Sequence, residues 1–96
     1  MKYIIIEYYK EDSGRYTSNP QVRWHIIKSF DNYDECYEQF IRMYKEFKCC
    51  KNENVVFIPS DFKKSKELIK YITNKGKSVI LIKKMKWNKF NKTYIL

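Results

Sequence analysis

Five lysines surround two aromatic residues in the segment Lys83–Lys92, near the end of the chain. The residues concerned are Lys83, Lys84, Lys86, Trp87, Lys89, Phe90 and Lys92. Ammonium groups neutralise phosphates, and aromatic rings stack on unpaired bases. The pattern therefore predicts a surface for single-stranded nucleic acid or a nucleoprotein complex. The alternative is structural: Trp87 and Phe90 would cover one end of the core, and the lysines would keep that end in solvent.

Lys63, Lys66 and Lys70 recur at spacings of three and four residues, which places them on one face of a helix. Such a face would track phosphates and would continue into Lys75 and Lys77. Lysine in place of arginine favours diffuse attraction over bidentate reading of individual bases. The alternative is the solvated face of an ordinary amphipathic helix.

Two of the three arginines complete the set of candidate binding residues. Arg15 lies in the polar segment Ser13–Asn19, which is typical of a loop. Loops carry function more often than cores do, so this segment could be a binding finger. The alternative is an ordinary hairpin connection. Arg23 lies on the polar face of a predicted strand.

The remaining reactive side chains do not form a recognisable catalytic or metal-binding pattern. His25 is the only histidine, and no partner that would make it a general base can be identified by spacing. Cys49 and Cys50 lack a second cysteine pair or a histidine at zinc-ligand spacing. Four acids lie at a predicted helix start, where the macrodipole favours them: Asp31, Asp34, Glu35 and Glu38. We therefore expect no catalytic residues, no metal and no cofactor.

Positive charge is concentrated in the last third of the chain. The net charge is +9, but residues 1–62 carry −1 and residues 63–96 carry +10, with Glu67 as the only acid of that part. Residue types with AT-rich codons (Phe, Tyr, Met, Ile, Asn and Lys) supply 54 of the 96 residues, which indicates an AT-rich genome such as that of a low-GC bacterium, its phage or another virus. Codon bias explains part of the lysine excess, but it does not explain its one-sided position.

Cysteine usage and length set the cellular context and the domain count. Three cysteines, two of them adjacent, form a poor disulfide framework, so we expect free thiols and a cytoplasmic, reducing environment. The first apolar run ends at Glu7 and is too short for a signal peptide or a membrane helix. We expect a single domain over residues 1–96 without a membrane partner.

The first half of the chain predicts two strands and a helix. Residues Lys2–Lys10 are rich in Ile and Tyr and apolar on both faces, which indicates a strand inside a sheet. Val22–Phe30 alternates between apolar and polar residues and predicts a half-exposed strand, paired with the first. Apolar residues then recur at helical spacing, predicting a helix from an Asp31 N-cap to about Lys48.

The second half predicts a strand, a helix and a last strand. Val55–Ile58 is a short apolar run closed by proline, and Ser60 or Asp61 would cap the following helix, which ends before Gly76. Val79–Ile82 predicts the last strand, and residues 83–96 either extend it or form a basic tail. The order β-β-α-β-α-β predicts an α+β fold, with a mixed sheet of about four strands and two helices packed on one face.

These patterns support three hypotheses about function. The first is a non-enzymatic binding protein that docks on nucleic acid, or on a nucleic-acid–protein complex, through its lysine-rich last third. The second is a phage or mobile-element inhibitor of a host defence system, for example an anti-CRISPR-type protein that binds a nuclease effector. The tyrosine-rich helix would then supply aromatic anchors for the protein partner. The third, an enzyme with an unrecognised site, ranks last.

Overall fold

Alternating strands and helices follow the hydrophobic periodicity of the chain. The structure, a computed structural model, describes residues 2–11, 21–50, 53–59 and 63–95. The elements are β1 (Lys2–Glu11), β2 (Gln21–Phe30), α1 (Tyr33–Cys49), β3 (Val55–Ile58), α2 (Ser65–Asn74), β4 (Ser78–Asn88) and β5 (Thr93–Ile95). The predicted α+β class, four-stranded mixed sheet and order of the first six elements are confirmed. The short strand β5 was not predicted.

The main sheet has the strand order β2-β1-β4-β3. β1 pairs antiparallel with β2 on one side and with β4 on the other, whereas β3 runs parallel to β4. The two central strands are therefore β1 and β4, as the apolar run of β1 predicted. Ile4, Ile5 and Ile6 are fully buried because side chains on both faces of a central strand are covered.

The two helices lie on opposite faces of the sheet. Alternate residues of β1 and β4 pack against α1. The cluster consists of Ile5, Ile80 and Ile82 from the strands and Cys36, Phe40 and Met43 from the helix. On the other face, Ile69 of α2 forms a second cluster with the intervening residues of β4 and one residue of β3: Val79, Leu81 and Ile58. Because successive strand residues point to opposite faces, these clusters occupy opposite sides. The prediction of two helices on one face is therefore wrong: the unbroken apolar run Val79–Ile82 is buried on both faces.

The start of α1 differs from the predicted start by one residue. Asn32, not Asp31, is the N-cap: its backbone is extended, and its side-chain oxygen accepts a hydrogen bond from the Asp34 N–H at 2.7 Å. The acidic first turn that the sequence indicated is present, with Asp34 and Glu35. These acids complement the helix macrodipole and are explained by helix stability.

The helix α2 begins at Ser65, with Lys64 in the N-cap position and without a side-chain cap hydrogen bond. The prediction of Ser60 or Asp61 as the cap is therefore wrong, and both lie outside the described residues. Lys63, predicted on one face of this helix with Lys66 and Lys70, precedes the helix. Gly76 follows the helix at a φ of +79°, in the left-handed region that suits glycine, and its N–H donates to the Thr73 carbonyl at 2.9 Å. The predicted stop at Gly76 is confirmed.

The last part of the chain is a strand extension followed by a hairpin. β4 continues to Asn88, so residues 83–88 belong to the strand and not to a basic tail. The Asn88 side-chain oxygen then accepts hydrogen bonds from the N–H groups of Phe90 and Asn91, and β5 pairs antiparallel with the end of β4. Because β4 is central and long, it brings lysines of the last third next to α2.

Candidate functional site

Lysines from α2 and β4 meet around a hollow on the α2 face of the sheet. Lys66 and Lys70 of α2 and Lys83 of β4 line it together with Tyr8 and Ile69, and its volume is about 320 Å³. Lys83 reaches this position because it follows Val79 and Leu81 at intervals of two, on the face that α2 covers. We call this site the tyrosine hollow.

A second hollow adjoins the first at the start of α2. Six residues line it: Lys63, Lys64, Ser65, Lys66, Glu67 and Lys83. We call it the lysine hollow. Lys66 and Lys83 line both hollows, so the two form one continuous concave surface. Together they gather five lysines against one carboxylate, an arrangement that concentrates positive potential in a cleft.

The position of these lysines is unfavourable for the helix itself. The N-terminal end of a helix carries partial positive charge from its unpaired N–H groups, and it favours acids over bases. Here Lys64 occupies the N-cap position and Lys66 the first turn, with Glu67 as the acid of that turn. Helix stability therefore does not explain the lysines at this end of α2.

Tyr8 provides a rigid floor for the tyrosine hollow. Its half-buried side chain packs against two core clusters, one containing Leu81 and Ile69 and the other containing Ile4 and Met85. The Tyr8 hydroxyl is neutral at physiological pH, as for any tyrosine, and can donate a hydrogen bond; burial raises its pKa further. A neutral phenol does not repel an anion, whereas a phenolate would.

Sequence reasoning did not identify Tyr8 as a site residue. Tyr8 lies far from the lysines in the sequence and reaches them only because β1 pairs with β4, with Tyr8 opposite Val79. Its spacing of two from Ile6 and four from Ile4 was the available signal, because it puts Tyr8 on the same face as those residues.

Strand alternation divides the predicted segment Lys83–Lys92 between two faces. Lys84 and Lys86 point to the face opposite Lys83, and the Lys84 Nζ lies 5.9 Å from the ring centroid of Tyr3, on the α1 side. Lys83 thus joins the α2 lysines. Lys84 and Lys86 lie apart from the two hollows.

Phe90 does not cover the core, and Trp87 is half-buried. Trp87 is 51% exposed at the end of β4, and Phe90 is 98% exposed in the turn before β5. The structural alternative, in which Trp87 and Phe90 cover one end of the core, is therefore wrong for Phe90, whereas Trp87 is half-buried. Lys89 and Lys92 are exposed in the same turn, so the hairpin tip is a separate basic and aromatic surface.

The two candidate arginines do not join the hollows. Arg15 lies outside the described residues. Arg23 is exposed on β2 and pairs in register with Tyr9, on the α1 face of the sheet. Of the predicted binding residues, Lys63, Lys66, Lys70 and Lys83 line the two hollows.

The register of β1 and β2 creates a histidine–carboxylate pair that the sequence spacing did not reveal. The His25 Nε2 lies 3.2 Å from the Glu7 carboxylate, and the Tyr9 ring contacts His25 edge-on at 5.4 Å between centroids. General bases use such a pair, but they also need a reacting group within hydrogen-bond reach. The His25 side chain is half exposed, as in an ordinary cross-strand surface pair.

The three cysteines are free, as predicted. Cys36 is fully buried, and burial raises the pKa of its thiol to about 11, which leaves it protonated and unreactive at neutral pH. Cys49 and Cys50 are exposed at the end of α1. Among the residues that the structure describes, no group of three or more His, Cys, Asp or Glu side chains is arranged to hold a metal ion.

The aromatic anchors required by the protein-binding hypothesis lie on α1. Tyr33, Tyr37 and Tyr44 are each partly exposed, and the rings of Tyr33 and Tyr37 stack with 6.1 Å between their centroids. This row lies on the face of the sheet opposite the two hollows. The lysine site and the tyrosine row are therefore separate surfaces.

Comparison with protein-family models, with curated proteins and with solved structures finds no match to this chain. Function must accordingly be argued from the site and not from likeness. Within the described ranges, no helix combines the length and apolar character needed to cross a bilayer.

Proposed function

We propose that this chain is a non-enzymatic protein that binds the phosphate backbone of a nucleic acid along the two hollows beside α2. One observation carries the proposal. Lys63, Lys64, Lys66, Lys70 and Lys83 line two hollows that share a wall, with Glu67 as the carboxylate among them. A surface that binds several phosphates of one strand needs this combination of concave shape and repeated ammonium groups.

A polymer of phosphates explains the arrangement better than a single small anion. The lysines line two joined hollows instead of converging on one point. Each phosphate that a lysine neutralises releases condensed counterions, so binding free energy grows with the number of contacts. A single phosphate would leave most of the five ammonium groups unused.

The chemistry of the site favours binding that is independent of sequence. Lysine is a flexible point charge without the planar fork that reads guanine edges, and the hollows contain lysine but no arginine among their lining residues. The positive end of α2 adds to the field of the lysines. The lysines would therefore hold the backbone without distinguishing its bases.

Filter binding across a salt series tests the proposal. Labelled single strands and duplexes of DNA and RNA should be retained by the protein at low salt, and the logarithm of the affinity should fall linearly with the logarithm of salt concentration. Affinity that is absent at low salt for all four probes, or that does not change with salt, would contradict the proposal.

A further inference from the structure

We infer that the tyrosine hollow takes an unpaired base, so that the protein binds single-stranded nucleic acid in preference to duplex. This inference rests on the proposed function and specifies its ligand. It differs from the sequence-based expectation, which assigned base stacking to Trp87 and Phe90 at the hairpin tip.

The two hollows differ in their lining, one partly apolar and the other charged, as the bases of a nucleotide strand differ from its phosphates. The tyrosine hollow has an apolar floor, formed by Tyr8 and Ile69, with lysines around it. The lysine hollow beside it is lined almost entirely by polar and charged side chains. A base above Tyr8 would place its flanking phosphates near Lys66 and Lys83, which line both hollows. A phosphate alone has no apolar part to cover the floor.

The size of the tyrosine hollow suits a single base. Its volume of about 320 Å³ is at the lower end of the range for small-molecule sites. In a duplex the faces of the bases are stacked on one another and are not available to a side chain. A base must therefore be unpaired or terminal to enter, which gives the preference for single strands.

Trp24 extends the aromatic surface next to the hollow. It pairs with Tyr8 in the β1–β2 register, so the two side chains share the α2 face of the sheet. Trp24 is 49% exposed even though it lies on the apolar face of its strand. Successive bases stack on successive aromatic side chains in proteins that bind single strands. Tyr8 and Trp24 are placed to act as such a pair.

Three probes, compared by filter binding, test the inference on the full chain: a thymidine strand of about 12 nucleotides, a strand of the same length with abasic sites, and the corresponding duplex. The thymidine strand should bind about tenfold more tightly than the abasic strand, because stacking is lost while the phosphates remain. It should also quench tryptophan fluorescence. The quench should disappear in Trp24→Phe and persist in Trp87→Phe.

The outcomes separate this inference from the proposed function. If none of the probes binds at low salt, both fail. If the thymidine and abasic strands bind equally, or the duplex binds as tightly as the thymidine strand, the proposed function stands and the inference is overturned. It is also overturned if the quench is lost in Trp87→Phe instead, which would return base stacking to the hairpin tip.

A substitution in the floor gives an independent readout. Tyr8→Leu keeps an apolar side chain but removes the ring, so affinity for the thymidine strand should fall about tenfold while affinity for the abasic strand is retained. Tyr8→Phe keeps the ring, so this variant should still bind the thymidine strand more tightly than the abasic strand. An equal loss for both strands in Tyr8→Leu would overturn the role of the ring, and the abasic comparison above needs no variant to fold.

Discussion

Cys36 shows how burial alone changes the chemistry of a residue type. It lies in the core between α1 and the sheet, whereas Cys49 and Cys50 lie at the exposed end of the same helix. The reactive form of cysteine is the thiolate, and burial disfavours that charge. The three thiols should therefore behave as two classes.

Thiol labelling measures this difference directly. In the native protein near neutral pH, a thiol reagent should modify Cys49 and Cys50 and leave Cys36 unmodified; all three should react after unfolding in urea. Mass spectrometry of the labelled peptides identifies the sites. Labelling of Cys36 in the native protein at the rate of the other two would contradict its burial.

The raised pKa of Cys36 also predicts a pH dependence of stability. The unfolded thiol loses its proton near 9.0, but the folded thiol keeps it until about 11. Between these values the unfolded state binds fewer protons, so the free energy of unfolding decreases as pH rises. Urea denaturation should show that the wild type loses stability relative to Cys36→Ala over this interval. A difference that stays constant from pH 9 to 11 would contradict the shift.

At the scale of elements, β4 is the strand on which both halves of the core depend. Ile80 contacts the α1 cluster and Leu81 the α2 cluster, and both are almost completely buried. Ile80→Ala and Leu81→Ala should each lower the free energy of unfolding by about 2–5 kcal/mol, as for other large-to-small core substitutions.

The edge strand supplies the matched control. Ile26 on β2 is 45% exposed, so Ile26→Ala should cost about 1 kcal/mol or less. Chemical denaturation of the three variants compares them on one scale. If Leu81→Ala were as mild as Ile26→Ala, α2 would not be packed against β4 as described.

Lysine in the first turn of α2 should lower the stability of the fold and strengthen nucleic-acid binding. Lys66→Glu should raise the free energy of unfolding by about 0.3–1 kcal/mol, because it places an acid at the positive end of the helix. The same change should weaken nucleic-acid binding.

Lys75→Glu makes the identical charge change at the other end of α2, where it should lower stability. Thermal denaturation and filter binding of both variants check this; stabilisation by Lys75→Glu would contradict it.

The elements themselves were largely predictable, but their spatial relations were not. The periodicity of α1 and the alternation of β2 predicted those elements because local burial sets their patterns. The unbroken apolar run Val79–Ile82 indicated burial on both faces of the sheet, but a short apolar run does not show which element covers each face. Strand pairing places Tyr8 beside the lysines of the hollows and His25 beside Glu7. No local sequence pattern predicts which strands pair or in which register.

At the scale of the whole molecule, folding converts an uneven distribution of charge along the chain into a surface. Residues 63–96 carry +10, and the fold brings five of their lysines to one face: Lys63 and Lys64 before α2, Lys66 and Lys70 on α2, and Lys83 on β4. Strand alternation sends Lys84 and Lys86 to the other face, which the linear sequence did not anticipate. The position of these lysines should therefore determine binding more than the net charge of the protein does.

Salt dependence of binding for two matched triple variants tests that claim most directly. Lys66→Gln/Lys70→Gln/Lys83→Gln removes three charges from the hollows, and Lys28→Gln/Lys45→Gln/Lys48→Gln removes three from β2 and α1. For a single-stranded probe, the slope of log affinity against log salt should become shallower by about 2 in the first variant, as expected for three lost phosphate contacts. It should stay near the wild-type slope in the second. Equal changes in both variants, or none in the first, would contradict a binding surface at the two hollows.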